Sequence, residues 1–338
     1  MSESCTGNAT CWGASVKLPR RKFLHLAAGA AALPAMPRVA SALDYPSRPV
    51  HVVVGFPAGT TVDIIARLVC EPLSQRLGQR FIVDDRPGAA SNIGTETVAT
   101  AAPDGYTLLL AVSSNAINAT LYKTLRFDFV RDIVPVGRIG TNPFVLVVPP
   151  SLPVKTIVEF IAYAKANPGK LYMASQGIGT PPHVSGELLK MMTGISFVHV
   201  PYKNALMPDL LAGRVQFYFS PTPLAVGYIR DERLHALGVT SAVRSAALPD
   251  IPAIAEFVPG YEVNGWLGVG APKSTPAEII QRLNTEIIAV IADASVKARL
   301  LELGVESKPM SPAEFEKFIV ADVEKWAKVI KFAGIEPE

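Results

Sequence analysis

Residues 51–65 read HVVVGFPAGTTVDII, and the spacing of their apolar side chains changes halfway. The β-branched run up to Phe56 predicts a strand, and the apolar residues from Val62 onward recur at helical spacing. Residues 57–61 are therefore predicted to form a short glycine-containing loop between a strand and a helix. Unpaired backbone N–H groups and the positive end of a helix dipole face such a loop, and together they can bind an anion.

The same arrangement recurs near the middle of the chain, where residues 171–192 read LYMASQGIGTPPHVSGELLKMM. A short strand leads into a second glycine loop, and Pro181 and Pro182 open the next helix, a position that proline favours. Glycine loops and helix N-termini bind anions through backbone N–H groups, so the two loops could hold the two ends of a small di-anion. Ordinary turns between strands and helices use the same residue types, and the residues alone leave both interpretations open.

Strand-like and helix-like segments alternate along the rest of the chain. This alternation is typical of an α/β protein with mostly parallel sheets, and 338 residues suffice for two lobes. The predicted strands cover 51–56, 80–84, 106–111, 144–149, 171–174, 197–200, 215–219 and 265–270. The predicted helices cover 62–77, 91–101, 156–167, 182–193, 205–212, 276–292 and 311–332. The last helix has one apolar face, which predicts that Trp326 is part of the core.

Residues 1–42 have the features of a bacterial export signal. A twin arginine, Arg20 and Arg21, precedes a short apolar run of small residues, and residues 40–42 have the A-x-A pattern of a cleavage site. The run is too short for a membrane-spanning helix and ends at prolines. We therefore predict cleavage near Ala42, a periplasmic location and no insertion in the membrane, with the twin-arginine and the general export routes both open.

The charge of the processed chain excludes polyanionic partners. The leader holds five basic residues and one acidic residue, so the 32 basic and 29 acidic residues of the whole chain fall to 27 and 28 from Leu43 onward. The resulting formal charge of −1 gives no reason to expect nucleic acid or anionic lipid as a partner. Cys70 is then the only cysteine, which leaves no intrachain disulfide and predicts a buried, unreactive thiol.

Motifs for cofactor, metal or catalytic chemistry are absent. The chain has no G-x-G-x-x-G, no Walker lysine, no H-E-x-x-H and no G-x-S-x-G, and its histidines are scattered. We therefore predict no cofactor, no metal site and no catalytic residue. An exported α/β hydrolase, with a triad assembled from distant residues, remains the weaker alternative.

Several long stretches resemble the substrate-binding proteins of tripartite tricarboxylate transporters, the Bug/TctC family. They include GFPAGTTVDIIAR, VDDRPGAASNIGTETVATAAPDGYTLLL, ASQGIGTPPHVSGELLK and HVPYKN, and the similarity continues to the terminal helix. The resemblance implies a type II periplasmic-binding fold with two α/β lobes joined by two crossing strands. It also implies a small carboxylate ligand, the membrane subunits of a transporter as partners, and no catalysis.

The resemblance also implies a domain division. Lobe 1 would comprise 43–143 and 265–338, and lobe 2 would comprise 144–264, with the chain crossing between the lobes near Pro143 and again near Gly265. We expect a monomer. A sensory receptor that works without a transporter is the second alternative.

The candidate ligand-binding residues come from three segments. The loops and the family pattern together indicate Phe56, Ala58, Gly59, Thr60, Thr61 and Asp63 in the first loop, Ser113, Ser114 and Asn115 after the third strand, and Ser175, Gly177, Gly179, Thr180 and His183 in the second loop. Asp63 is expected to orient its loop, because a carboxylate repels an anion but complements a helix N-terminus. His183 is expected to be a neutral hydrogen-bond donor. Thr60, Asn204 and Gln216 depart from the family pattern, and Thr60 would place a side chain in the first anion pocket.

Overall fold

The computed structural model describes residues 45–202 and 205–336. The predicted export signal and Asn204 lie outside these residues. Within the described ranges, none of the helices combines the length and the apolar character needed to cross a membrane.

Ten strands form the sheet of the described chain. They are β1 (Val50–Val54), β2 (Phe81–Asp85), β3 (Thr107–Val112), β4 (Ile133–Val148), β5 (Tyr172–Ser175), β6 (Val198–Pro201), β7 (Phe217–Pro221), β8 (His235–Val239), β9 (Asn264–Pro272) and β10 (Glu306–Met310). Their order is β2-β1-β3-β9-β4-β7-β5-β6, and β8 and β10 both pair with β4.

Eleven α-helices accompany these strands in the described residues. They are α1 (Thr61–Leu77), α2 (Asn92–Ala99), α3 (Ser113–Leu121), α4 (Phe129–Asp132), α5 (Ile157–Ala166), α6 (Pro181–Thr193), α7 (Met207–Leu211), α8 (Thr222–Arg230), α9 (Ala277–Ala292), α10 (Ala294–Glu302) and α11 (Pro312–Ala333).

The two outer parts of the sheet are parallel, and the middle is antiparallel. β1 pairs in parallel with β2 and β3, and β5 does so with β6 and β7. β4 and β9 run antiparallel to each other and to their remaining partners. The expectation of mostly parallel sheets was therefore wrong for the middle of the sheet, where the chain passes between the two outer parts.

β4 is the element that joins the two parts. Its residues 133–143 pair with β9, and its residues 144–148 pair with β7 and β8. The sequence predicted a strand only from 144, because the preceding IVPVGRIGTNP carries two prolines and two glycines, which are unusual inside strands. The register slips near Gly137 and near Gly140. A Cβ at Gly140 would lie 2.5 Å from the Glu306 carbonyl oxygen of β10, so close backbone approach explains this glycine.

The hydrophobic core extends into both lobes. One buried cluster contains side chains from β3, β4, β7 and α11, and two further clusters fill the individual lobes. α11 packs against both α3 and α6, and Trp326 is fully buried, as predicted. Cys70 is also buried, and burial raises the pKa of its thiol to about 12.

Candidate ligand-binding cleft

A cleft of about 600 Å³ opens where β4 and β9 pass between the two parts of the sheet. The N-terminal ends of four helices line it, two from each lobe. Its lining residues are Phe56, Thr60, Thr61, Val62, Ile65, Val112, Ser113, Ser114, Asn142, Pro143, Phe144, Gln176, Pro181, Pro182, Pro221, Thr222, Pro223, Leu224, Trp266, Leu267, Glu302, Leu303, Gly304 and Val305.

The first loop is held by Asp63 and Thr60. The Gly59 N–H donates to Asp63 Oδ2 at 2.8 Å, and the Thr60 hydroxyl donates to the Pro57 carbonyl oxygen at 2.8 Å. Gly59 has a φ of +80°, a conformation that glycine adopts without strain. These contacts fix the loop at the start of α1, for which Thr60 is the N-cap residue.

The second loop repeats this geometry. The Gly179 N–H donates to His183 Nδ1 at 3.0 Å, and the Thr180 hydroxyl donates to the Gly177 carbonyl oxygen at 2.8 Å. Gly179 has a φ of +72°, and Thr180 is the N-cap residue of α6.

The two loops are therefore equivalent position by position. Gly59 corresponds to Gly179 and Thr60 to Thr180, and in both loops a buried acceptor four residues further along receives the glycine N–H. That acceptor is a carboxylate, Asp63, in the first loop and an imidazole in the second. Sequence reasoning found the repeat of the loops but not this shared anchoring bond.

Asp63 belongs to an ion-pair network under the first loop. Arg67 Nε lies 2.7 Å from Asp63 Oδ1, and Arg67 also donates through Nη2 to Asp85 at 3.0 Å. Asp63 is 3% exposed, so its carboxylate is directed at the loop and at Arg67 and not at the open cleft. Burial and the nearby Asp63 charge raise the pKa of Asp85.

The buried ring of His183 and the partly buried ring of His199 form a stack behind the second loop. Their ring centroids are 3.7 Å apart with the planes 9° from parallel, and His199 Nε2 lies 2.6 Å from the Ser175 hydroxyl. Burial, with a contribution from His199, lowers the pKa of His183 to about 3, and burial lowers that of His199 to about 4. Both rings are therefore neutral at physiological pH. His183 accepts a hydrogen bond from the loop through Nδ1, which leaves Nε2 to carry the proton of the neutral ring. The expectation that His183 donates a hydrogen bond to the ligand remains a prediction.

The third segment of the candidate site is the first turn of a helix. Ser113 and Ser114 are the first two residues of α3 and line the cleft. Asn115 is buried, accepts the Val112 N–H at 2.8 Å and donates to Thr95 at 2.9 Å. Its side chain is engaged in holding the start of α3.

The structure thus separates the candidate residues into two groups. Those that line the cleft are Phe56, Thr60, Thr61, Ser113 and Ser114. Those that lie outside the lining are Ala58, Gly59, Asp63, Asn115, Ser175, Gly177, Gly179, Thr180 and His183. Most polar side chains of the second group make hydrogen bonds within their own loop or helix.

Several lining residues were not among the sequence candidates. Gln176 is adjacent to a predicted position, and Pro181 and Pro182 were noticed only as the start of a helix. Asn142 and Trp266 come from β4 and β9, and no local sequence motif marks them. Their place in the cleft follows from the crossing of two strands that are distant in sequence.

Among the described residues of the lining, Glu302 is the only one with a charged side chain, and it pairs with Arg299. The rest of the described lining offers neutral donors and apolar walls. In the described part of the chain, no three His, Cys, Asp or Glu side chains are arranged to hold a metal ion. A cleft between two α/β lobes, with helix N-termini facing it from both sides, defines a two-lobed solute-binding protein.

Comparisons with known proteins agree with this class. The model of the tripartite tricarboxylate transporter family receptors matches residues 65–335. The protein BugT of Bordetella pertussis is 34% identical over 299 residues, which is 87% of this chain and 92% of BugT. The chain belongs to this receptor family, the Bug/TctC family.

Two solved structures show the same fold. Rpa4515 of R. palustris, solved with adipate, is 37% identical and superposes with a TM-score of 0.75 over 87% of this chain and all of that chain. MatC of Rhodopseudomonas palustris, solved with bound malate, is 27% identical with a TM-score of 0.70 over 85% of this chain and all of that chain.

Proposed function

We propose that this protein is a periplasmic receptor that captures a small carboxylate between its lobes and delivers it to the membrane subunits of a tripartite transporter. The observation that carries the proposal is the pair of equivalent loops, each at a helix N-terminus beside one cleft. Family membership and the adipate and malate bound to two relatives support the carboxylate. No catalytic step is proposed, and the ligand is released unchanged.

We propose the predicted residues of both loops and of the α3 start as the ligand-binding site, in two roles. Thr61, Ser113 and Ser114 would contact the ligand, because they line the cleft. Asp63 and His183 would act by holding the loops in shape, because each is buried and accepts a glycine N–H.

We also propose the domain division at 143/144 and 264/265, with the two lobes forming a monomer. The change of pairing partners along β4 after Pro143 and the start of β9 at Asn264 support these boundaries. Ligand binding would then bring the lobes together across β4 and β9.

The decisive experiment is to identify what the purified protein binds. Mass spectrometry of ligand released from the freshly purified protein, followed by a calorimetric titration with the compound found, should give an organic acid that is recovered unchanged. Turnover of the acid would favour the hydrolase alternative. Binding of sugars or peptides alone would refute a carboxylate receptor.

Export would be tested separately. N-terminal sequencing of the periplasmic protein should locate the cleavage near Ala42, and an intact leader would contradict it. Replacing Arg20 and Arg21 by lysine should abolish export only if the twin-arginine route is used.

A further inference from the structure

The turn between α10 and β10 contacts the second lobe beside the cleft. Glu302, Leu303, Gly304 and Val305 belong to this turn and line the cleft, and so does Pro223 at the start of α8. Gly304 is buried, and a Cβ placed on it would lie 2.4 Å from Pro223 Cγ and 2.6 Å from Pro223 Cδ. The main chain of the first lobe therefore approaches a side chain of the second lobe so closely that only glycine leaves room.

Hydrogen bonds hold this turn firmly in the first lobe. The Gly304 N–H donates to the Leu301 carbonyl oxygen at 2.9 Å, and the Val305 N–H donates to the Leu300 carbonyl oxygen at 2.8 Å. Gly304 has a φ of +76°, the left-handed conformation that commonly ends a helix. Leu300 and Val305 are buried in the hydrophobic cluster of the first lobe. The turn therefore moves with that lobe, and a separation of the lobes would separate Gly304 from Pro223.

A hydrogen bond between the lobes follows directly after this turn. The Ser245 hydroxyl donates to Glu306 Oε1 at 2.8 Å. Ser245 is buried in the segment after β8 of the second lobe, where its hydroxyl oxygen also accepts the Ala247 N–H at 3.3 Å. Glu306 is the first residue of β10, and its Oε2 lies 3.5 Å from Lys308 Nζ. A hydrogen bond to a carboxylate is stronger than one between neutral groups, so this bond favours the arrangement in which the lobes touch.

The contact between the lobes at α11 is of a different kind. α11 packs against α6, and buried side chains of both helices belong to one hydrophobic cluster. Separating these helices would expose apolar surface to water, which is unfavourable. At the α10–β10 turn, by contrast, Pro223 is already exposed to solvent, and water can replace the hydrogen bond between Ser245 and Glu306. The lobes can therefore part at this turn at a lower cost than at α11.

We infer that the α10–β10 turn is the gate of the cleft. With the lobes together, Gly304 lies against Pro223, Ser245 is bonded to Glu306, and the ligand is enclosed. For ligand entry and release, the turn separates from α8 and from Ser245 while α11 keeps its packing on α6. Ser245 and Glu306 lie outside the cleft lining, so they set how long a ligand stays bound without contacting it. This inference rests on the proposed function.

The rate of ligand release tests the hydrogen bond of the gate. Ser245→Ala and Glu306→Ala should each raise the rate at which excess unlabelled adipate displaces bound radiolabelled adipate, by about threefold or more. The double variant should release adipate no faster than the single variants, because each of them removes the same bond. Ser307→Ala is the matched control, since its hydroxyl donates to the Ile291 carbonyl oxygen at 3.2 Å within the first lobe. Release from Ser245→Ala at the rate of the parent protein would overturn the gate.

A measurement without ligand separates the gate from the identity of the ligand. Spin labels on Asp231→Cys and Lys297→Cys, two exposed positions on different lobes, report the distance between the lobes by double electron–electron resonance. Cys5 and Cys11 are replaced by serine in all samples, and the buried Cys70 does not take up a label.

Gly304→Ala places a methyl group against Pro223 and should lengthen the distance between the labels in the ligand-free protein. Adding Pro223→Ala removes the ring carbons that this methyl group meets and should restore the parent distance. Gly78→Ala is the matched control for backbone strain, because Gly78 has a φ of +71° and a Cβ there would meet no atom within 4 Å.

Circular dichroism establishes that the labelled variants are folded. An unchanged distance in folded Gly304→Ala would overturn the gate even where adipate binds. Adipate that fails to bind to a protein whose distances do respond would instead count against the proposed function and leave the gate supported.

Discussion

At the scale of single residues, Gly59 and Gly179 occupy equivalent places but have different surroundings. Both have positive φ, so alanine is strained at either position. A Cβ at Gly59 would meet no atom within 4 Å, whereas a Cβ at Gly179 would lie 2.2 Å from Leu121 Cδ2, at the end of α3. Steric contact between lobes therefore adds to backbone strain only in the second loop.

We accordingly expect Gly59→Ala to lower the free energy of unfolding by about 1–2 kcal/mol, the cost of a left-handed non-glycine residue. Gly179→Ala should cost ~1–3 kcal/mol more, because Leu121 must move. Urea denaturation of both variants measures the difference. Equal losses would show that Leu121 adapts freely and that the contact is not restrictive.

His183 makes the free energy of unfolding depend on pH. Its pKa is lowered to about 3 in the folded protein, against 6.5 as the ordinary value. Between pH 6.5 and about pH 3, His183 is therefore protonated in the unfolded chain but neutral in the folded protein. The free energy of unfolding falls as the pH drops through this range. From pH 8 to pH 5 the loss due to His183 is about 2 kcal/mol.

The non-titrating variant His183→Asn retains an acceptor for the Gly179 N–H and should flatten this dependence by that amount. His199, Glu187 and Lys190 also face the ring and are present in both proteins, so the difference between the two pH profiles reports the loss of His183 together with its electrostatic contact with His199. Parallel profiles from pH 8 to 5 would contradict a depressed pKa.

At the scale of elements, local sequence patterns predicted the helices that follow the two loops. The first part of β4 depends on tertiary contacts and was not predicted. The helices predicted at 62–77 and 182–193 correspond to α1 and α6, because their amphipathic spacing and capping residues are local signals. The first part of β4 escaped prediction, since Gly140 is explained only by the approach of β10 and Gly137 only by the approach of Asn284 from α9.

In the candidate site, too, some features follow from local sequence and others only from the folded structure. The two loops could be found from residue types, but the bond from Gly179 to His183 and the set of residues that line the cleft depend on folded geometry. Asn142 and Trp266 reach the cleft through strand crossing, which no short motif encodes.

α11 supports the cleft from outside through a buried hydrogen bond. Trp266, which lines the cleft, donates through Nε1 to Asp322 Oδ2 at 2.8 Å, and Lys325 Nζ lies 3.0 Å from Asp322 Oδ1.

Asp322→Ala should cost ~1–3 kcal/mol of unfolding free energy, because the indole N–H is left buried without an acceptor. Asp322→Asn retains an acceptor and should cost less than half as much. Chemical denaturation distinguishes them, and similar losses would assign the effect to packing or charge.

At the scale of the whole molecule, the two lobes have nearly equal loops at the cleft and share one hydrophobic core. The chain crosses the middle of the sheet in β4 and β9, and α11 packs against helices of both lobes. A ligand held between the walls would therefore add contacts between two units that already share a core. Those contacts exist only in the folded, closed protein.

Ligand binding should consequently stabilise and compact the protein together. At a ligand concentration of 100 times Kd, the free energy of unfolding should rise by about 2.7 kcal/mol, which raises the melting temperature by roughly 3–8 °C for a chain of this size. Small-angle scattering should show a smaller radius of gyration in the same samples, because the lobes close on the ligand. Glucose, which carries no carboxylate, is the control and should change neither quantity. A rise in melting temperature without compaction would mean that the acid binds to a cleft that is already closed, and that β4 and β9 do not act as a hinge.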